Sequence, residues 1–249
     1  MDLRCRYTAA DLAVLSCEEA RRLAAQDGDP QADISLAWEL LYRLEPGLYD
    51  RLATAERLHP GILRWLPARA DRIVEIGAGT GRLTLDLLGR GQEIVAIEPV
   101  AAFRDILERK LAAAGDGGRV RVTHGFFDDL PVPAGWADLV IACSVLTSSA
   151  GHGGEPGLAQ MERACRPGGR SVIIWPNNVD WLAARGYRHL SFGGPMSLEF
   201  ASHSEAIELA EIFYPHAADE VRRRGSPRVP YEVLGYDPPR DLAYKVMPG

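Results

Sequence analysis

No close pair of cysteines occurs in this sequence: Cys5, Cys17, Cys143 and Cys165 stand far apart, and none has a histidine at metal-ligand spacing. A zinc centre is therefore not expected, and no other metal site is read. Long apolar runs are also missing. The longest, residues 139–143, is far too short to cross a bilayer, and the N-terminus lacks a basic start followed by an uninterrupted apolar stretch. The expectation is a cytoplasmic protein with reduced thiols and no membrane partner. Basic charge is in short supply as well. With 28 Lys and Arg against 34 Asp and Glu, the formal net charge is -6, which argues against nucleic acid as a partner, since phosphate binding needs a dense cationic face. Arg222-Arg223-Arg224 is the only basic run, and it reads as a solvated helix end.

What is present is enough chain, 249 residues with 47% hydrophobic and 25% charged, to bury a full core. One stretch stands out: Val74-Glu75-Ile76-Gly77-Ala78-Gly79-Thr80-Gly81-Arg82-Leu83. An apolar run reads as a buried strand over 72–76 and an amphipathic one as a helix over 82–88, so the glycines form a turn open to a close ligand. The dinucleotide fingerprint puts its third glycine on the sixth residue of the loop. Here Arg82 holds that place and Gly81 comes one earlier, which makes a poor NAD site. Glu75 would repel a pyrophosphate but suits a ligand with a positive amine and a sulfonium. Glu98 ends the next apolar run about twenty residues on, where an acid can accept from ribose hydroxyls.

These residues resemble the class I S-adenosylmethionine (SAM) methyltransferases, whose first motif runs E/D-x-G-x-G-x-G, followed by an acid closing the second strand. The resemblance continues through Leu130-Pro131, Asp138 at the opening of the fourth strand, and Arg163-Ala164-Cys165-Arg166-Pro167-Gly168-Gly169 before the fifth. It covers residues 71–176. It implies SAM as cofactor, S-adenosylhomocysteine as product, and a Rossmann-like α/β fold. In that fold a doubly wound, mostly parallel seven-stranded sheet runs in the order 3-2-1-4-5-7-6, with the last strand antiparallel.

The pattern along the chain agrees with alternation: strands over 72–76, 93–98, 119–123, 138–143 and 170–175, helices over 82–88, 100–113 and 157–165, hence a parallel sheet covered on both faces. Its ligand is expected beyond the carboxyl ends of the strands. Ahead of it, residues 8–66 are helical in pattern, with an N-cap at Thr8, a second start at Asp29-Pro30 and a break at Pro46-Gly47. The domain reading is an N-terminal helical cap, 1–68, and a SAM-binding catalytic domain, 69–249, with an insertion at about 177–200 over the site edge. The cap's Leu36, Trp38, Leu40, Leu41, Tyr42 and Leu44 need cover from the main domain or from a second subunit, which leaves a homodimer open. Near the end, Ser202 and Glu205 are spaced as a capping box for a helix over 202–214, and residues 231–235 with 241–246 read as an antiparallel hairpin around Pro238-Pro239.

For the donor, Gly77, Ala78, Gly79 and Gly81 supply backbone approach, Glu75 takes the amino-acid end and Glu98, beside Pro99, the ribose. The adenine is expected over Gly125-Phe126-Phe127-Asp128-Asp129-Leu130-Pro131, where the family writes Gly-Asp-Ala-x-x-Leu-Pro. Phe126 replaces that Asp, leaving the amine contact to Asp128 or to the backbone N–H and ring of Phe127. Cys143 and Ser144 would line the methionine part, Cys143 as a buried structural thiol. Of the six histidines, His152 is best placed for a general base, against the plainer reading of an exposed loop residue. His189, His203 and His216 are not ranked, and His124 is expected to be structural or adenine-adjacent. Tyr49, Trp175 and Asn177 are the substrate-pocket candidates, with Tyr49 equally readable as a packed aromatic. The leading functional expectation is methyl transfer to a small-molecule acceptor, a metabolite or natural product. The alternatives are attack at another carbon on sulfur, releasing methylthioadenosine, and a non-catalytic SAM-binding partner subunit.

Overall fold

The computed structural model describes residues 6–15 and 32–249. Cys5, Cys17 and the helix start at Asp29-Pro30 lie outside the described residues. By contact density the chain divides into two compact units, one taking residues up to Arg57 together with 194–238, the other residues 58–193 with 239–249. These borders differ from the 68/69 boundary that the helical pattern predicts, because a late stretch of chain joins the N-terminal helices.

The larger unit is built on a seven-stranded sheet. Its strands are β1 (Ala70–Ile76), β2 (Gly91–Ile97), β3 (Val120–Thr123), β4 (Ala137–Cys143), β5 (Cys165–Ile174), β6 (Arg188–Ser191) and β9 (Asp241–Val246), in the order β3-β2-β1-β4-β5-β9-β6. Pairs from β3 across to β5 are parallel, while β9 runs antiparallel to both β5 and β6. Numbered within this sheet alone, β9 is the seventh strand and the order is the expected 3-2-1-4-5-7-6.

Alternation along each strand decides which helices cover which face. Ile73, Ile94, Leu139, Ile141, Val172 and Leu242 pack with Ile62 of α3 (Pro60–Trp65) and Leu87 of α4 (Thr84–Leu87). On that same face, Ala96 meets Leu107 and Leu111 of α5 (Ala101–Ala114). Val74, Val95, Val140, Ala142 and Ile173 face the other way, toward Leu158 and Met161 of α6 (Gly154–Ala164) and Leu182 of α7 (Val179–Ala183). Burial on both faces explains why the central strands β1, β2, β4 and β5 each carry a continuous apolar run.

The smaller unit holds α1 (Ala32–Leu44), α2 (Pro46–Ala55), β7 (Ser197–Glu199), α8 (His203–Phe213), α9 (Ala218–Arg224), β8 (Arg228–Pro230) and α10 (Tyr231–Leu234). The break before Pro46 falls where expected. At Thr8 a short 3-10 helix over Ala9–Val14 begins, with the Asp11 carboxylate accepting from the Thr8 N–H at 2.7 Å. Much of the apolar stripe of α1 is covered within this unit, where Leu41 is fully buried and Trp38 stacks on Phe213 with ring centroids 5.5 Å apart, while Leu44 at its end stays exposed. Leu52 and Ala55 of α2 pack with Leu198, Leu209, Val221, Val229 and Tyr231. Arg51 fixes the arrangement by donating to Glu205 at 2.7 Å and Glu208 at 2.5 Å. At the end of α9, Arg222 pairs with Asp219 and Glu211, and Arg223 and Arg224 with Glu220, so the basic run is neutralised locally.

Three expectations are corrected. Residues 231–235 form the helix α10 and not a strand: Tyr231 and Leu234, three apart, are both buried while Glu232 between them is exposed, a helical and not an alternating pattern. The antiparallel partners of β9 are instead β5 and β6. Residues 177–200 are accordingly not a single insertion, since they supply α7, the edge strand β6 and β7. Finally, the helix expected over 82–88 is only Thr84–Leu87, because the glycine turn runs on through Gly81 and Gly89-Arg90-Gly91 follow at once.

Candidate functional site

Strand register brings the ends of five strands level. Ile76 pairs with Ile97 and with Ala142, Ile97 with Thr123, and Cys143 with Ile174. Gly77, Glu98, His124, Ser144 and Trp175, each following one of these strands or its last paired residue, therefore line one carboxyl edge. Two of them adopt the left-handed backbone conformation without being glycine: Ser144 at φ 58 and Trp175 at φ 55. Each such residue costs about 1–2 kcal/mol. Their N–H groups still extend the ladder, Ser144 to Ile174 O at 3.1 Å and Trp175 to Asp241 O at 3.0 Å, before the chain turns off the sheet.

The glycine turn is shaped by its neighbours as well as by its own torsions. Gly77, Gly79 and Gly81 have φ of 65, 56 and 100. A Cβ on Gly77 would sit 2.6 Å from Val145 Cγ1, and one on Gly81 2.6 Å from Leu107 Cδ1, so these two are demanded by protein packing. Ala78 N–H donates to Ile97 O at 3.0 Å, and Gly79 N–H to Glu98 Oε2 at 2.9 Å. The other Glu98 oxygen accepts from Val100 N–H at 2.8 Å, just past Pro99. Glu98 is thus a buried carboxylate that pins the turn to the end of β2.

Glu75 lies on β1 with only 2% of its surface exposed, and its Oε2 has no hydrogen-bond partner. Burial pushes its carboxyl up to about 8, while Thr84 and the Arg82 guanidinium pull the other way. Thr80 Oγ1, in the turn itself, is likewise buried without a partner. Buried polar atoms are normally satisfied, and an acceptor and a hydroxyl left over at the glycine turn fit a ligand bearing an ammonium group. The residues present suit SAM.

Around this centre the remaining candidates fall as follows. Cys143 is buried, and its sulfur accepts from Arg82 Nη2 at 3.2 Å. The half-buried Phe127 packs with Val145, Leu146 and Leu158, its Cδ2 standing 3.5 Å from where a Cβ on Gly153 would lie. Asp128 belongs to a tight turn closed by Asp129 N–H on Phe126 O at 3.2 Å. His152 is half-buried and ends a 3-10 turn over Ala150–His152, where its carbonyl accepts from Thr147 N–H at 2.9 Å. Asn177 is exposed; its neighbour Asn178 caps α7 by accepting from Trp181 N–H at 2.9 Å. Glu155 on α6 accepts from Trp181 Nε1 at 3.2 Å and Arg185 Nε at 3.0 Å, binding the segment after β5 to the one after β4.

The other histidines are engaged in the framework: His189 with Asp241 at 2.8 Å, His203 with Val221 O at 3.1 Å, and His216 with Leu234 O at 3.0 Å. His124 is exposed, edge-on to Phe126. Tyr49 belongs to the smaller unit, where it meets Tyr42 with centroids 4.9 Å apart and packs with Leu41 and Phe213. Among the described residues no group of three or more His, Cys, Asp or Glu is arranged to hold a metal ion, and no helix is long and apolar enough to cross a membrane.

Sequence reasoning passed over Arg82, Thr80, Val145 and Leu107. Arg82 registered only as the residue displacing a glycine, and the two apolar side chains carry no motif; only coordinates reveal that they shape the turn.

Comparison with known proteins agrees with this geometry. A model described as a methyltransferase domain matches residues 73–169. An uncharacterized methyltransferase of Geobacillus kaustophilus is 31% identical over 165 residues, covering 62% of this chain and 73% of that protein. An uncharacterized methyltransferase of Mycobacterium tuberculosis is 33% identical over 119 residues, 47% of this chain but only 44% of the relative, so the chain spans less than half the length of that protein. Among solved structures, the YcgJ protein of Bacillus subtilis superposes with a TM-score of 0.50 at 14% identity, covering 76% of this chain and 97% of that one, a likeness of fold. By its glycine turn, its sheet and these relatives, this chain belongs to the class I SAM-dependent methyltransferases.

Proposed function

We propose that the protein transfers the methyl group of SAM to a small-molecule acceptor. The observation that carries this is the buried Glu75 carboxyl with a free Oε2 beside the turn that Glu98 pins. When bound, SAM supplies an electrophilic methyl carbon on a sulfonium. Glu75 then holds the ammonium end, and Glu98, whose carboxylate is fixed at the turn by Gly79 and Val100 N–H, takes the ribose hydroxyls. Displacement at a methyl group needs the acceptor atom held in line and water kept out, and no side chain need be consumed. His152, on the loop after β4, is the candidate to take a proton from the acceptor. A small acceptor is supported by the net charge of -6, which disfavours nucleic acid.

Calorimetric titration with SAM and S-adenosylhomocysteine tests the donor site. Mass spectrometry of products from protein, SAM and a metabolite extract tests the transfer. Methylated product with S-adenosylhomocysteine is expected. Methylthioadenosine in its place would mean that another carbon on sulfur is attacked, and no binding of either ligand would leave a non-catalytic role.

A further inference from the structure

Three consecutive carbonyls at the start of β9 gather three separate segments of the larger unit at the carboxyl edge of its sheet. Pro239 O accepts from His59 N–H at 3.0 Å, Arg240 O from Phe192 N–H at 2.9 Å, and Asp241 O from Trp175 N–H at 3.0 Å. His59 thus stands at the head of α3, Phe192 just past β6 and Trp175 just past β5. The His59 ring is fixed twice over. Its Nδ1 accepts from Gly61 N–H at 3.0 Å, and its plane lies 11° from that of the half-buried Phe192, with centroids 5.7 Å apart. Phe192 in turn rests against Gly61, where a Cβ would come within 2.4 Å of its Cδ1. A backbone amide can only donate, so Nδ1 is the unprotonated nitrogen and the neutral ring carries its hydrogen on Nε2. No group among the described residues accepts from that nitrogen. His59 is therefore a donor at this edge and not a base.

Neighbouring strands stand about 4.8 Å apart, so β9 lies about 10 Å and β6 about 14 Å along the edge from β4. A methyl group delivered at the end of β4 is out of reach of a one-ring acceptor held by this pair. We propose that His59 and Phe192 form a distal subsite for an elongated acceptor, whose far end is a flat conjugated group bearing a carboxylate or carbonyl oxygen. That oxygen accepts from His59 Nε2–H while the flat group lies against Phe192. His59 is thereby a specificity-determining residue, and its contact, remote from the reacting atom, helps to orient the end that is methylated. The inference names an acceptor class for the methyl transfer proposed above and rests on that reading.

NMR titrations of the protein saturated with S-adenosylhomocysteine compare three probes. These are 2-naphthoate, 2-naphthylmethylamine, which keeps the rings without an acceptor oxygen, and cyclohexanecarboxylate, which keeps the carboxylate without a flat ring. 2-Naphthoate is expected to bind about tenfold more tightly than either, the ratio that one hydrogen bond gives. The net charge of -6 favours the amine, so this order does not come from bulk electrostatics. His59→Asn keeps an oxygen that accepts from Gly61 N–H but has no Nε2–H. It should bring 2-naphthoate down to the level of the amine, with the melting temperature and the affinity for S-adenosylhomocysteine nearly unchanged. Equal wild-type affinity for 2-naphthoate and the amine overturns the subsite, as does a folded His59→Asn variant that keeps the preference. If the variant unfolds, the wild-type order of the three probes decides alone. Binding of S-adenosylhomocysteine without preference among the probes removes the subsite only, whereas failure of S-adenosylhomocysteine to bind removes the methyl-transfer reading and the subsite with it.

Discussion

The backbone N–H of Gly79 donates to the Glu98 carboxylate at 2.9 Å, so the acid after β2 and the turn after β1 form one hydrogen-bonded piece. Because the other oxygen accepts from Val100, a single side chain satisfies two backbone donors. Glu98→Ala should therefore lose stability as well as affinity. Two unmet N–H groups predict a destabilisation of about 1–3 kcal/mol, and loss of the ribose contact proposed for Glu98 a similar loss in SAM binding. Urea denaturation and calorimetry measure the two separately, and a loss of affinity with no loss of stability would contradict the pinning role.

Gly79→Val is expected to abolish SAM binding while the protein stays folded. Its φ of 56 costs a β-branched residue about 1–2 kcal/mol, a fraction of typical domain stability, and in the SAM site proposed above the added methyl groups obstruct approach of the ligand to the backbone. Gly81→Val differs in kind, since its Cβ would meet Leu107 at 2.6 Å, and should lower the melting temperature further. Circular dichroism melts of the two variants side by side test the distinction.

Glu75 makes stability depend on pH in an unusual direction. Its folded value of about 8 lies above the ordinary 4.5, so between these values the folded chain keeps a proton that the unfolded chain gives up. The stabilising contribution is full below about 4.5 and is lost as pH rises through 8. Melting temperatures of Glu75→Gln measured against the wild type should shift steadily in favour of the variant from about pH 5 to pH 8.5. A bound ammonium would ionise the carboxyl, so binding near neutral pH should release a proton, visible as a dependence of the calorimetric heat on buffer ionisation enthalpy.

At the opposite end of the strands, Asp138 accepts from Arg166 Nε at 2.6 Å and Arg72 N–H at 2.8 Å. Burial would push its carboxyl up, but these donors hold it below the ordinary carboxylate value. Its contribution is present above the unfolded value near 3.8 and disappears as pH falls. With Arg166 half exposed, Asp138→Ala should cost only about 1–2 kcal/mol in urea denaturation, and leave SAM affinity unchanged.

How far the sequence can be read depends on what each residue answers to. Strands β1, β2, β4 and β5 were legible because burial on both faces needs continuous apolar runs, and β3 because its valines alternate with polar residues at the sheet edge. The turn was legible because its tight backbone needs glycine. The capping box was partly so: Ser202 accepts from Glu205 N–H at 3.1 Å as its spacing implies, but the Glu205 carboxylate reaches back to Ala201. The segment 231–235 misled, since Tyr and Val favour strands while burial of Tyr231 and Leu234 together decided for a helix. β6 escaped notice because Arg188-His189-Leu190-Ser191 is a polar edge strand whose identity comes from pairing with β9. Ser144 and Trp175 gave no hint of their left-handed torsions, which neighbouring structure imposes.

The placement of β9 between β5 and β6 has a bearing on how the chain is made. β6 leaves the ribosome about fifty residues before β9, the strand it pairs with, so its backbone groups wait unmatched until residues 241–246 have emerged. The smaller unit waits too, because Leu52 and Ala55 of α2 share their core with residues 196–234. Neither half closes until these later segments have emerged, so a truncation that removes β9 leaves β6 without its partner strand and exposes one edge of β5.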